Sequence, residues 1–190
     1  MTDTTDRRAV LADAAITVLA RSGLRGLTHR AVDQAAGLPE GSCSNLFRTR
    51  EALLTGTVDR LAERDSGELP SRALELGSIE QVAELLCTLM TRWLGPDRKR
   101  MLARYELALE STRRPELRRA LADSGARFRA LAAELLAGLG APDAEARALG
   151  FVGCVDGLMF DQLAGAGADS LDAGQLRETL TVLLGAFTVR

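Results

Sequence analysis

Between residues 37 and 54 the chain reads GLPEGSCSNLFRTREALL, and the side chains most able to do chemistry gather there. Ser42, Ser44 and Asn45 bring hydroxyl and amide groups, Arg48 and Arg50 bring cations, and Cys43 brings a thiol. Such a set suits a solvated loop, a thiol switch at Cys43, or a surface that hydrogen-bonds a partner. Catalysis has little to work with. His29 is the only histidine, so no His-based nucleophile–base pair or His-rich metal site is available. No phosphate-cradling glycine loop occurs either. Cys43, Cys87 and Cys154 are far apart and odd in number, which fits neither a disulfide framework nor a zinc spacing. The sequence therefore predicts no enzyme, no cofactor and no metal.

The elements that position these residues are predicted to be helical throughout. The chain of 190 residues is rich in Ala, Leu and Arg, and aromatic residues make up only 4%. Apolar positions Val10, Leu11, Ala14, Ala15, Val18 and Leu19 repeat at helical spacing over residues 6–21, and Gly23 stops that helix. Thr28 suits the N-cap of a second short helix ended by Gly37; a third runs from about Pro39 to Arg48. Thr49 caps a fourth that continues to about Arg64, and residues 65–78 read as a linker. Longer helices follow at roughly 79–94, 97–112, 115–138, 142–165 and 172–189, each separated by Gly or Pro. The expectation is about nine helices: an N-terminal three-helix domain over 1–50, then a helical bundle over 51–190.

Helical periodicity gives the third helix two sides. Cys43 and Phe47 share one face, while Gly41, Ser44, Asn45 and Arg48 cluster opposite. A helix this short needs its apolar face pinned, and Val18, Leu27 and Val32 are suitable partners. The outer face is small and hydrogen-bonding, and an Asn amide matches adenine in a major groove. The pattern reads as helix-turn-helix. Net charge is −2 and pI about 5.6, yet between residues 21 and 50 Arg21, Arg25, Arg30, Arg48 and Arg50 face only Asp33 and Glu40. A locally basic segment on an acidic chain is compatible with phosphate binding. Thr28, Thr49 and Arg50 lie at helix starts, where free N–H groups favour phosphate oxygens. His29 either contacts phosphate or is simply exposed.

The stretch GLRGLTHRAVDQAAGLPEGSCSNLFRTREALL (23–54) resembles the DNA-binding domain of TetR-family transcriptional repressors. The likeness rests on the Gly ending the first helix, the Leu-Thr entering the second and the Ala-Ala-Gly turn. It continues through the Gly-Ser opening the third, Phe47, and the Arg-Glu-Ala-Leu-Leu that follows. It implies that Thr28, Ser42 and Arg50 hold phosphates and that Arg30, Gly41, Ser44 and Asn45 approach base edges, with Cys43 and Phe47 in the core. Where the family often has aromatics at positions 44 or 45, and His or Tyr at 46, this chain has Ser44, Asn45 and Leu46. Its operator should differ accordingly. Pro39 also replaces the usual serine-like cap.

The resemblance further implies a homodimer through the last two helices and an effector site among the middle ones. Gly150, Gly153 and Gly157, with Cys154, form a seam without bulky side chains, and Leu176, Leu180, Leu183, Leu184 and Phe187 share a broad apolar face. Packing within one subunit is the alternative. Candidate effector-site residues are Met90, Trp93, Met101, Tyr105 and Phe128, then Phe151 and Phe160; such residues also serve as plain core. Asp156, expected to be buried on an apolar helix, needs a partner such as Arg104 or a ligand group. The basic runs 97–104 and 113–119 read as solvated faces or as anion contacts.

The overall expectation is an all-α, cytoplasmic, ligand-responsive repressor. It would bind a palindromic operator in double-stranded DNA as a homodimer and be released by a small-molecule effector. The alternative is a helical small-molecule-binding dimer without operator affinity. No apolar run approaches the ~20 residues of a membrane span.

Overall fold

The computed structural model describes residues 4–66, 76–168 and 170–189. Among these residues there are nine helices and no strand. They are α1 (Thr4–Gly26), α2 (His29–Ala36), α3 (Ser42–Leu46), α4 (Arg50–Ser66), α5 (Ile79–Leu94), α6 (Arg98–Ser111), α7 (Pro115–Gly138), α8 (Ala144–Ala164) and α9 (Ala173–Thr188). The chain divides into two compact units. One holds α1–α4 with residues 99–123, the other residues 69–98 with 124–190.

In the first unit the apolar stripe of α1 lays Leu11, Ala15, Val18 and Leu19 against Leu27 and Val32. From α4 come Leu53, Leu54, Val58 and Leu61, so this unit continues past residue 50, where the sequence placed a boundary. Ala103 and Leu107 of α6 and Leu117 of α7 join the same core. The helix breaks at Gly23, where the sequence placed its end: the backbone there is non-helical, with φ 60° and ψ −170°, and a short further piece runs to Gly26. The third helix is one turn, shorter than the Pro39–Arg48 expected. Gly41 turns the chain with φ 94° at its start, and Phe47 leaves helical geometry at its end.

Charge pairs tie α4 to its neighbours. Arg60 donates to both oxygens of Asp13 at 3.0 Å, and Arg64 reaches the same carboxylate at 3.0 Å. Burial pushes the Asp13 carboxyl up, but hydrogen bonds from Arg60 and Arg64 and their charges outweigh it and hold it below its ordinary 3.8. At the far end of α4, buried Asp65 accepts from Arg100 and Arg104 of α6. This places part of the basic run 97–104 inside the protein. The second run behaves differently: Arg113 and Arg114 pair with Glu110, while Arg118 and Arg119 are exposed.

In the second unit α5 packs on α8 and α9, and α8 on α9. Val82, Met90, Leu136, Phe151, Met159 and Leu163 form the interior. Leu176, Leu180 and Leu184 of α9 are 3%, 0% and 0% exposed, which corrects their assignment to a subunit interface. Burying three leucines against α5 and α8 stabilises the single chain and leaves none of them for a partner. Ser78 caps α5, and Asp172 and Gln175 form a capping box on α9. Most of the expected linker, residues 67–75, lies outside the described residues.

Two outcomes follow for stability. An added Cβ at Gly56 would collide with Cε1 of the buried Phe47 ring. Gly56→Ala should therefore destabilise by about 1–3 kcal/mol in spite of its better helix propensity, read as a lower Tm; an unchanged Tm contradicts this packing. Because the folded pKa of Asp13 is depressed, its contribution is complete above about pH 4 and is lost as pH falls through the folded value. Asp13→Asn should thus be less stable than the parent at neutral pH, with the gap closing in acid denaturation series. A gap independent of pH contradicts the ion pairs.

Candidate nucleic-acid interface

α2 has conventional ends. Thr28 Oγ1 accepts from Ala31 N at 3.1 Å, and Gly37 closes the helix with φ 65°. α3 has no cap of its own, because Gly41 carries no side chain and Pro39 lacks both a hydroxyl and an N–H. The cap comes from α2. Asp33, 3% exposed, accepts from Gly41 N through Oδ2 at 2.8 Å and from Cys43 N through Oδ1 at 2.7 Å.

The C-terminal end is held from outside as well. Arg8 of α1 donates to Leu46 O at 3.3 Å and lies 4.4 Å above the Phe47 ring. His29 Nε2 donates to Phe47 O at 2.6 Å. An anion at the start of the turn and a cation at its end both match the direction of the helix dipole.

With both ends fixed, the two faces separate. Cys43 and Phe47 are 0% exposed, while Ser44, Asn45 and Arg48 face solvent. Ser44 Oγ donates to Gly41 O at 3.0 Å and Ser42 Oγ to Pro39 O at 2.7 Å, so each hydroxyl keeps its capacity to accept. Among the described residues the Asn45 amide has no hydrogen-bond partner. Arg30 and Glu40 form an exposed pair at 3.7 Å beside this surface. Asp33, an acid of the local segment, is buried in the cap, so the exposed charge is more basic than the sequence sum suggests.

Not every expected contact is free to reach a ligand. Arg50 donates from Nη1 to Leu27 O and from Nη2 to Leu24 O, each at 2.5 Å, so its guanidinium joins α4 to the turn before α2. Thr49 Oγ1 accepts from Ala52 N at 3.0 Å and caps α4. His29 is half-buried and engaged with the backbone rather than simply exposed.

Residues 77–186 match the family described as tetracyclin repressor-like, C-terminal domain. The chain belongs to the TetR family. Solved structures agree over nearly the whole chain. A TetR-family member from Streptomyces coelicolor is 30% identical, with 94% of this chain and 98% of that one covered and a TM-score of 0.73. A transcriptional regulator from a Rhodococcus species is 25% identical, with 95% of each chain covered and a TM-score of 0.74. The multidrug binding protein EbrR, complexed with imidazole, is 30% identical, with 93% and 94% covered and a TM-score of 0.68. No curated protein matches the chain.

In this TetR-family chain the expected effector-site residues fall in both units. Met101, Arg104 and Tyr105 are in the first, where Met101 is buried and Arg104 is paired with Asp65. Met90, Trp93, Phe128, Phe151, Asp156 and Phe160 are in the second. Met90 and Phe151 are buried, and the Phe151 ring meets Phe187 edge-on at 5.6 Å. Asp156 is exposed, correcting its expected burial: it lies on the same outward side of α8 as Gly153 and Gly157. An added Cβ at Gly153 or Gly157 meets nothing within 4 Å, whereas one at Gly150 would lie 3.2 Å from Phe187. All three glycines are exposed, and Gly150 differs only in adjoining the Phe187 ring. Leu183 and Phe187 are half-buried. No helix among the described residues is long and apolar enough to cross a membrane.

Sequence reasoning overlooked Asp33 and Arg8. A signal for Asp33 was present: Gly41 at the start of α3 has no side chain with which to cap it, and Asp33, directly after apolar Val32, is a nearby acceptor. Arg8 had no local signal, since its contact spans 38 residues.

The thiol of Cys43 is pushed up to about 11 by burial and the nearby Asp33 charge. A thiol-reactive dye at pH 8 should label Cys43 only after denaturation, as read by peptide mass spectrometry. Rapid native labelling of Cys43 contradicts the buried, protonated state.

Proposed function

We propose that the chain is a ligand-responsive transcriptional repressor that binds a palindromic operator as a homodimer and leaves DNA when a small molecule binds. In this reading residues 1–50 bind DNA and 51–190 bind effector and partner, in the cytoplasm. The observation that carries it is α3. One helical turn is fixed at both ends while presenting Ser44, Asn45 and Arg48 outward, the arrangement a major-groove reader needs.

Asn45 is the base-edge contact, with its amide offered to adenine. Arg30, Gly41 and Ser44 complete the reading face; Thr28, Ser42 and Arg48 contact phosphate. Arg50, His29 and Thr49 act mainly by holding the surrounding backbone. Dimerisation is supported by the outer side of α8 and α9. Leu149, Phe160 and Val182 are 66%, 43% and 67% exposed, and Leu149, Gly153, Gly157 and Phe160 recur at helical spacing. A twofold pairing there would set two reading helices about one DNA turn apart. An effector in the C-terminal bundle is supported by EbrR, a multidrug binding protein solved with imidazole, proflavin and ethidium. The ligand must favour one of two states for release to follow.

Gel shifts with DNA upstream of its own coding sequence, run across a salt series, test this reading. Specific binding that weakens steeply with salt is expected. Asn45→Ala should relax preference at one base pair of each half-site, costing about 1–3 kcal/mol. Arg48→Ala should weaken all sequences alike and lower the salt slope by about one. Unchanged specificity in Asn45→Ala overturns the assignment of the reading face.

A further inference from the structure

We infer that Asp33 is a positioning residue for operator discrimination, setting the orientation of α3 through a two-point clamp from the preceding helix. The inference rests on the DNA-reading function proposed above. An isolated turn of five residues has no intrinsic stability, and an ordinary N-cap would travel with the turn it caps. Here the acceptor belongs to α2, and its two oxygens bind two different N–H groups, of Gly41 and Cys43, at 2.8 and 2.7 Å. Two bonds from one planar carboxylate fix both the distance of α3 from α2 and its rotation about its own axis. Gly41 and Cys43 flank Ser42 and precede Ser44 and Asn45, so that rotation decides where the outward groups point.

The clamp requires a carboxylate. Both groups it meets are donors, and a carboxylate only accepts. Asparagine has nearly the same shape but a single acceptor oxygen, so in Asp33→Asn one N–H must face an N–H₂ group. Asp33 is 3% exposed, and a mismatched buried donor is costly. The neighbouring side chains are engaged elsewhere: Glu40 pairs with Arg30, and the Ser42 hydroxyl donates to Pro39 O. Asp33 itself is buried beneath the turn, and no base contact is assigned to it. Its effect on recognition passes through the placement of Ser44 and Asn45.

The test compares the parent dimer and Asp33→Asn on two duplexes of equal length, one recovered by the parent from a random-sequence pool and one scrambled. The parent should prefer the recovered duplex. Asp33→Asn should lose about tenfold or more of that preference, with scrambled-DNA affinity and salt slope kept. A merely structural role would lower both affinities together. Amide exchange adds a readout independent of the variant's folding: in the parent, the Gly41 and Cys43 N–H groups should be protected well beyond those of a frayed single turn. A parent that enriches no sequence refutes the DNA-reading function itself. A parent that discriminates alongside an Asp33→Asn variant that discriminates equally well refutes the positioning role. Unprotected Gly41 and Cys43 amides in the parent also refute it, even if Asp33→Asn does not fold.

Discussion

A single helical turn does not hold its shape in water, and the proposed reading surface of this chain is built on one. What allows it is the carboxylate of Asp33, removed from solvent and shared between the N–H groups of Gly41 and Cys43. Burying a charge is unfavourable unless hydrogen bonds replace its hydration. Two short bonds to the main chain do so, and they satisfy two donors that the start of α3 leaves open. Arg8 and His29 complete the arrangement on the carbonyls of Leu46 and Phe47. The turn is then supported from α1 and α2, and its own sequence is free to be small and polar outside.

The rest of the first unit serves the same end. Phe47 fills the space that glycine at 56 leaves open on α4, and Arg50 joins the start of α4 to the carbonyls of Leu24 and Leu27. The Asp13 pairs and the Asp65 pairs bind α4 to α1 and α6 at two levels. α4 thus adjoins Phe47 at the end of α3 and, at its other end, a buried ionic cluster. A shift of α4 would be felt at both, which suits it to the coupling role in the proposed ligand-responsive regulator.

Much of this was legible in the sequence. Glycine and proline punctuation fixed the longer helices to within two residues, because each stop falls where the helical period breaks. The two faces of α3 followed from the spacing of Cys43 and Phe47. What was not legible depended on contacts distant in sequence. The leucines of α9 form a stripe whether they pack against α5 and α8 or against a partner; only their burial separates the two. Asp156 looked buried because its neighbours are apolar, yet glycines on that side of α8 leave it open to solvent. Arg50 offered a cation at a helix start, and nothing local revealed the carbonyls of Leu24 and Leu27.

The central claim is that α3 and the start of α2 meet DNA while the C-terminal helices do not. Hydrogen–deuterium exchange of the protein, with and without a duplex recovered from a random-sequence pool, tests it directly. The account predicts added protection in peptides spanning residues 28–50 and none in α8 or α9. Protection centred elsewhere, or no change over residues 28–50 at saturating duplex, would contradict it.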